Sequence, residues 1–349
     1  MIEPGRRLSK RVIQKPDGRY LILYEPADPL HEAARQRFRS RFRAEPKWVG
    51  GAPGRVNLIG EHVDYLGGPV LPVAVDRRLA IALGPAERWD VDSAVEGGEP
   101  YVRAVAEALG QGPLRAAIVS DLRPGSGLSS SAALLVACAA ALAPELDGVR
   151  AAELCRAAEQ AATGVQVGIM DQFASALGRK GAAILLNCDA LDHEYVPFPD
   201  DLVIAVVDSG VHRRLVDTPY NQRRSEAEAA MAGARGESAE RRRRHVVSEI
   251  ARVREFVDAL GAGDHAGLGR LLIESHRSLR EDFEVSIREL DELVEAAAAV
   301  PWCLGARLLG AGFGGSVLAL LEAGGESAFA GRFGDRATIC FTATGPFAR

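Results

Sequence analysis

The stretch PGSGLSSSAAL, Pro124 to Leu134, passes from small, flexible residues directly into an uninterrupted apolar run. Gly125 and Gly127 allow the backbone to turn its N–H groups towards one point. The three serines that follow supply a hydroxyl N-cap and further donors where a helix over residues 131–143 is predicted to begin. Because unpaired amides and the positive end of the helix dipole face the same place, the stretch predicts a phosphate-binding loop.

This loop does not have the sequence of the common P-loop. The GxxxxGK[ST] pattern requires a lysine that is missing here, and position 128 is Leu. A Gly/Ser loop that only caps a buried helix is the structural alternative, and the stretch alone does not exclude it. The rest of the chain has to decide between the two interpretations.

The composition is that of a folded protein with a large core. The chain has 349 residues, 47% of them hydrophobic and 26% charged, which is enough for two domains. The longest apolar run, residues 132–143, is shorter than the roughly 20 residues that a bilayer requires. The polar N-terminus has no apolar signal-peptide region. We therefore expect no membrane partner and a cytoplasmic location.

Cysteine and charge patterns argue against several classes of function. The five cysteines are scattered, odd in number and without CxxC spacing, so neither a disulfide framework nor a structural zinc site is expected. The formal net charge of −5 argues against nucleic acid as a partner. The run RRRRH at Arg241–His245 is interpreted as the solvated start of a helix, with acid partners such as Glu249 and Glu255.

A second polar cluster lies between strand-like segments from Lys47 to Val75. Its β-branched residues alternate around polar side chains that are costly to bury unless they bind something. A turn with a few surface charges is the structural alternative. The cluster predicts a ligand site, and its members are Arg55, Asn57, Glu61, His62 and Asp64.

Further along the chain, residues 151–176 are predicted to form a helix, a glycine-rich break and a second helix. Glu159 and Asp171 flank the break. Near a phosphate loop, one carboxylate is suited to bind Mg²⁺ and the other to lie beside the attacking oxygen. Each residue alone is more often a surface acid. The remaining predicted elements are two short strands within 11–24, strands at 182–188 and 202–210, a helical middle over 218–300, and a strand, glycine turn and strand over 305–323.

With these pieces in order, the sequence resembles the galactokinases of the GHMP small-molecule kinase superfamily. GRVNLIGEHVDYLGG, Gly54–Gly68, is similar to the galactokinase signature, PGSGLSSSAAL to the ATP loop, and LLGAGFGGSVL, Leu308–Leu318, to the third, glycine-rich motif. The resemblance implies an α+β, two-domain GHMP kinase fold. It places the active site in the cleft between an N-terminal domain, residues 1–200, and a C-terminal domain, residues 201–349.

The resemblance also implies roles for individual residues where they match. Asp171 would orient or deprotonate the anomeric hydroxyl of a sugar, and Arg55 would keep that carboxylate ionised and stabilise the transferring phosphoryl group. Ser131 and Glu159 would hold Mg²⁺. The sugar hydroxyls would bind Glu61, His62, Asp64, the Gly168 backbone and Tyr220. The ATP phosphates would lie on Gly125, Ser126, Gly127, Leu128, Ser129, Ser130 and Ser131.

The sequence departs from the galactokinase pattern in three places. Val63 and Leu66 stand where galactokinases usually have Thr and Asn, and both can reshape the wall of the sugar pocket. The connection from Leu83 to Tyr101 lacks several tens of residues, including part of the adenine surround. The segment before about residue 25 is extra, and we expect its hairpin to cover apolar surface that the missing region would have covered.

The resemblance implies an ATP-dependent enzyme, expected to be monomeric, that phosphorylates galactose at its anomeric oxygen to give galactose 1-phosphate and ADP. Two alternatives remain open. One is a kinase for a related sugar, such as N-acetylgalactosamine or arabinose. The other is a catalytically inactive sugar sensor. The yeast sensor that resembles galactokinases lacks a Ser-Ala pair in the ATP loop, and the presence of Ser131 and Ala132 here favours an enzyme.

Overall fold

The computed structural model describes residues 8–14, 20–26, 28–93, 97–123, 125–212 and 218–348. Its strands are β1 Leu8–Gln14, β2 Tyr20–Pro26, β3 Trp48–Asn57, β4 Pro69–Val70, β5 Pro72–Pro85, β6 Asp90–Ser93, β7 Leu114–Ser120, β8 Ala182–Asn187, β9 His193–Pro197, β10 Leu202–Asp208, β11 Cys303–Leu309, β12 Ser316–Glu322, β13 Ala337–Cys340 and β14 Phe347–Ala348. Its α-helices are α1 Pro29–Phe42, α2 Gly98–Ala108, α3 Ser130–Leu142, α4 Gly148–Thr163, α5 Met170–Leu177, α6 Tyr220–Met231, α7 Glu237–Ala262, α8 His265–Glu281, α9 Arg288–Ala298 and α10 Glu326–Phe333.

A five-stranded sheet in the order β14-β3-β5-β7-β6 organises the first half of the chain. Successive side chains of a strand point to opposite faces, and β5 follows this rule. Leu79 and Ile81 belong to the main core, into which α3 packs, whereas Ala80 and Ala82 contact Phe38 of α1 on the other face. The wholly apolar body of α3 is therefore buried against this sheet.

A four-stranded antiparallel sheet, β11-β12-β10-β13, organises the second half. Helices α8 and α9 pack on β11. Helix α7 packs on α8, and α6 packs on α7. The chain does not end in this half, because β14 returns to the first sheet and pairs Phe347 with Gly51 of β3. The predicted α+β architecture is confirmed, while the boundary near residue 200 stays a prediction.

Most predicted elements occur with shifts of a few residues. The helix expected over 131–143 is α3, and the helix, break and helix expected over 151–176 are α4 and α5. The N-terminal strands pair antiparallel as β1 and β2, but residues 15–19, which include the predicted Pro-Asp-Gly turn, lie outside the described residues. The role expected for this hairpin stays a prediction. Within the described part of the chain, no helix is long and apolar enough to cross a bilayer.

The arginine run does not form a solvated helix start, and that interpretation is wrong. Helix α7 begins at Glu237, so the run lies inside it. Arg242 is only 2% exposed and pairs with Glu226 and Glu284, which lie outside α7. Glu249 is fully buried, whereas Glu255 is exposed as expected. Because its guanidinium groups are engaged with neighbouring acids, the run ties α7 to its surroundings.

Candidate active site

Two clefts meet above β3. The first, of about 300 Å³, lies between residues 125–131 and the glycine turn 309–315 that joins β11 to β12. The second, of about 90 Å³, lies between the loop after β3 and the N-terminal ends of α5 and α6. Arg55 and the turn residues Gly310 and Ala311 line both clefts. The predicted residues lining the second cleft are Arg55, Glu61, His62, Asp64, Gly168, Asp171 and Tyr220.

Arg55 and Asp171 form a bidentate ion pair where the clefts meet. Arg55 Nε donates to Asp171 Oδ1 at 2.7 Å, and Nη2 donates to Oδ2 at 2.6 Å. The third guanidinium nitrogen, Nη1, donates to the Gly127 carbonyl oxygen of the phosphate loop at 2.8 Å. Arg55 is buried, while the Asp171 side chain keeps 30% of its surface exposed. Two parallel hydrogen bonds fix the orientation of the carboxylate while leaving it accessible.

Ser129 differs from its predicted role. Its backbone is left-handed, with φ at 53°, and its side chain makes no capping bond to α3. Instead, Ser129 Oγ donates to Asp171 Oδ2 at 2.6 Å. Ser129 therefore does not cap α3, because a capping hydroxyl accepts from a backbone N–H and normally needs an extended backbone, whereas Ser129 has a left-handed backbone. The phosphate loop consequently contacts the carboxylate directly.

The rest of the phosphate loop has the predicted shape. Gly125 and Gly127 have φ values of 74° and 73°, in the left-handed region that favours glycine. A Cβ atom on Gly127 would lie 3.0 Å from Leu309 Cδ2, so the third motif packs directly against this loop. The first N–H groups of α3 lack acceptors within the helix and are available to an anion.

Asp64 and Gly168 lie against each other in the second cleft. A Cβ atom on Gly168 would overlap Asp64 Oδ2, so only glycine fits at that position. Burial, together with the charges of Asp171 and Glu61, raises the pKa of the Asp64 carboxyl to about 7. A carboxyl group that lines a cleft and whose pKa is strongly raised is a candidate for binding a ligand.

His62 has protein partners at both ring nitrogens. Nε2 donates to the Ala311 carbonyl oxygen at 3.1 Å, since a carbonyl can only accept, and Nδ1 accepts from the Tyr65 hydroxyl at 3.1 Å. Burial lowers the pKa of His62 to about 4, so the ring is neutral at pH 7. Tyr220 packs on this ring with a centroid distance of 5.7 Å, and burial raises the pKa of its hydroxyl well above 10.

Arg307 was not identified from the sequence. It is fully buried in β11 and donates from Nη2 to Glu61 Oε1 at 3.1 Å and from Nε to the Leu58 carbonyl oxygen at 2.8 Å. The Gly310 amide donates to the same Glu61 oxygen at 2.9 Å. Glu61 is thereby held in place on one oxygen. The available signal was a single arginine inside an apolar strand, which is costly to bury without a partner.

Ser131 and Glu159 lie together beside the phosphate loop. Burial raises the pKa of Glu159 to about 7, and hydrogen bonds from Ser131 and Gln172 oppose this shift. A hydroxyl and a carboxylate are hard oxygen donors of the kind that Mg²⁺ prefers. The described residues contain no cluster of three or more His, Cys, Asp or Glu side chains suited to a metal. Two oxygen donors fit Mg²⁺, which usually keeps several water ligands and also binds substrate phosphates.

Three family models match the chain. The galactokinase galactose-binding signature matches residues 36–85, the GHMP kinases N terminal domain residues 99–179, and the GHMP kinases C terminal domain residues 256–333. The match thus includes the loop after β3, the phosphate loop and the third motif, which form most of the two clefts, whereas Tyr220 lies outside the matched ranges.

Curated relatives and solved structures agree. Human galactokinase is 39% identical in an alignment that covers 83% of this chain and 88% of the relative. The galactokinase of Chloroflexus aggregans is 40% identical, covering 82% and 87%. The galactokinase of Lactococcus lactis, solved with galactose, gives a TM-score of 0.80 at 28% identity, covering 90% of this chain and 98% of that one. The chain therefore belongs to the galactokinase family of GHMP kinases.

Proposed function

We propose that this chain transfers the terminal phosphoryl group of ATP to the anomeric hydroxyl of galactose, giving galactose 1-phosphate and ADP. The observation that carries the proposal is the Arg55–Asp171 ion pair at the junction of the two clefts. A sugar hydroxyl in the smaller cleft and a phosphate in the larger one would meet there. The galactose-bound relative supports the choice of sugar.

In this proposal Asp171 accepts or directs the proton of the attacking hydroxyl. Its carboxylate is oriented by Arg55 on both oxygens and by Ser129 on Oδ2. Because Arg55 also binds the Gly127 carbonyl oxygen, the guanidinium is anchored beside the phosphate loop. There it can stabilise charge on the phosphoryl group as it moves between oxygens.

The sugar would be recognised by the polar groups of the smaller cleft. Glu61 uses Oε1 for protein contacts, so Oε2 is the oxygen we assign to a sugar hydroxyl. Asp64 and the Gly168 backbone form the neighbouring contact, and the Tyr220 hydroxyl the third. His62 is assigned to positioning, because both ring nitrogens bind protein groups and its ring supports Tyr220.

Residues 125–131 are assigned to the ATP phosphates, and Ser131 and Glu159 to Mg²⁺. Bound Mg²⁺ would neutralise phosphate charge and so lower the barrier to transfer.

The division into domains at residue 200 and action as a monomer also belong to the proposal. Light scattering tests the oligomeric state, and limited proteolysis followed by mass spectrometry tests the boundary.

A coupled assay for ADP, with phosphorus NMR of the product, tests the function. We expect rapid ADP formation with galactose and phosphate on the anomeric oxygen. Glucose should be slower by about 10⁴-fold or more in kcat/KM, since the C4 epimer leaves a buried polar group unpaired. N-acetylgalactosamine and arabinose test the related-sugar alternative. No ADP formation with galactose, or faster turnover of another sugar, contradicts the proposal.

A further inference from the structure

Glu249 is a fully buried carboxylate that the proposed chemistry leaves unused. It lies in α7, yet its Oε1 accepts hydrogen bonds from the backbone amides of Gly60 at 3.0 Å and Glu61 at 3.2 Å. Ser275 Oγ of α8 donates to the same oxygen at 2.8 Å, and Arg252 Nε donates to Oε2 at 2.8 Å. One carboxylate thus joins α7 and α8 to the loop that carries Glu61.

His245 binds the same residue, Glu61, at its backbone carbonyl group. It lies one turn before Glu249 on α7, so the two side chains share a face of the helix. Its Nε2 donates to the Glu61 carbonyl oxygen at 3.1 Å, and its Nδ1 accepts from Ser278 Oγ at 2.9 Å. Glu61 is therefore bound by α7 at both its backbone N–H and its backbone carbonyl group.

The loop needs such support because its backbone conformation is unfavourable. Gly60 has φ at 98°, and His62, which is not glycine, has φ at 61°. Positive φ values cost free energy for ordinary residues and persist only where surrounding contacts enforce them. The amides of Gly60 and Glu61 converge on one point, an arrangement that is stabilised by an anion. The Glu249 carboxylate supplies that anion.

The charge of Glu249 is secured by its surroundings. Burial alone would raise its pKa, but the positive charges of Arg252 and Arg307 and the hydrogen bond from Ser275 outweigh burial and lower the pKa to about 2. Glu249 therefore stays ionised across the working pH range. A neutral isostere at this position would remove the anion that the two amides share.

We propose that Glu249 is a positioning residue for sugar recognition: by binding the Gly60 and Glu61 amides it aims the Glu61 side chain into the sugar cleft. The inference rests on the proposed function and extends it to a residue outside both clefts. Loss of the anion lets the Glu61 peptide move, and the sugar contact then loses both strength and discrimination. The nucleotide side of the site, which α7 does not line, is unaffected.

The test is Glu249→Gln, with Glu255→Gln as the matched control on the exposed face of the same helix. Calorimetry gives the galactose Kd, and kinetics give the KM for galactose and for ATP and the galactose-to-glucose ratio of kcat/KM. We expect Glu249→Gln to raise the galactose Kd and KM by about 10-fold or more and to lower that ratio, with the ATP KM changed less than about 2-fold. Glu255→Gln should match the wild type.

Ser275→Ala serves if Glu249→Gln does not fold, because it removes one donor from Oε1 and leaves the charge in place. We expect a rise of about 2- to 5-fold in the galactose KM alone. A folded Glu249→Gln with wild-type galactose Kd and sugar ratio overturns the inference, as does an equal rise in the KM of both substrates. A wild type that does not phosphorylate galactose overturns the proposed function instead, so the two failures are distinguishable.

Discussion

The carboxyl group of Asp64 titrates near neutral pH because it is buried beside two other acids. Its pKa is about 7 in the folded chain, against an ordinary value of 3.8. A raised folded pKa means that ionisation costs folding free energy as the pH rises from about 4 to 7. The cost disappears well below pH 4, where Asp64 is protonated in both the folded and the unfolded state.

Asp64→Asn is therefore expected to stabilise the protein at alkaline pH while weakening galactose binding. The melting temperature of the variant should exceed that of the wild type by about 2 °C or more at pH 8. The difference should shrink steadily as the pH is lowered to 4. Scanning calorimetry across this range checks it. If the difference in melting temperature did not depend on pH, or if the variant were less stable than the wild type at pH 8, ionisation of Asp64 would not cost folding free energy.

Gly168→Ala tests the contact between this glycine and Asp64. The new Cβ atom would overlap Asp64 Oδ2, so the carboxylate has to move. A displacement of about 1 Å in a binding group can cost about 10²-fold in kcat/KM for galactose. Gly112→Ala is the control, because a Cβ atom there meets nothing within 4 Å and its φ is not positive. Unchanged galactose kinetics in Gly168→Ala would count against the assigned sugar contact.

The residues predicted to line the sugar cleft lie together in the structure. The hydrogen bonds and ion pairs that hold them in position were predicted poorly. The serines at positions 129–131 were expected to supply a hydroxyl cap for the helix, and capping preference is a local property. Ser129 stands at the N-cap position without capping the helix, and its hydroxyl donates to the Asp171 carboxylate, which the fold brings close. Arg307 and Glu249 support Glu61 from positions almost two hundred or more residues away. No local pattern records such a contact.

At the scale of elements, α3 joins the sheet core to the phosphate site. Its apolar body is buried, so its N-terminus is held at a defined place beside β3. The sequence predicted this element well, because glycines followed by serines and an apolar run specify a loop and a buried helix locally. Hydroxyl groups in the first turn then face the phosphate cleft, and Ser131 also reaches Glu159.

Ser131→Ala should weaken the use of MgATP and spare sugar binding. We expect kcat to fall and the nucleotide KM to rise together, with the galactose Kd from calorimetry unchanged. Ser327→Ala is the matched control, since Ser327 is also the second residue of a helix, α10, but is exposed. If Ser131→Ala lost galactose affinity and kept wild-type ATP kinetics, the assignment of this loop to ATP would be wrong.

At the scale of the molecule, Arg307 connects the two halves of the chain. From β11 its guanidinium binds the carbonyl oxygens of Asn57 and Leu58 and the carboxylate of Glu61. All of these groups are buried, so removing the arginine leaves a buried carboxylate without its cation. Breaking a buried ion pair in this way is strongly destabilising.

Arg307→Met is expected to lower the free energy of unfolding by about 3 to 5 kcal/mol. Arg270→Met, which removes an exposed pair with Glu274, should cost about 1 kcal/mol or less. Urea denaturation of both variants gives the comparison. If Arg307→Met were as stable as Arg270→Met, the two halves would have to be joined by other contacts.

The α+β fold was predicted because three motifs occur in the order found in galactokinases, so the resemblance carried the prediction of the fold. The return of β14 to the first sheet was not predicted, since a two-residue strand carries no periodic signal. The burial of Arg242 within the arginine run was also missed, because the acids that pair with it, Glu226 and Glu284, lie on other segments. What the sequence left out is thus the set of contacts made between distant segments.

The central claim is that Asp171, held by Arg55 where the two clefts meet, acts on the attacking sugar hydroxyl. The most direct measurement is the single-turnover rate of galactose phosphorylation by Asp171→Asn, together with its galactose Kd. Asp258→Asn, an exposed site on α7, is the control. We predict a fall of about 10²- to 10⁴-fold in the rate, with the Kd almost unchanged. An Asp171→Asn enzyme that phosphorylates galactose at the wild-type rate would contradict the account.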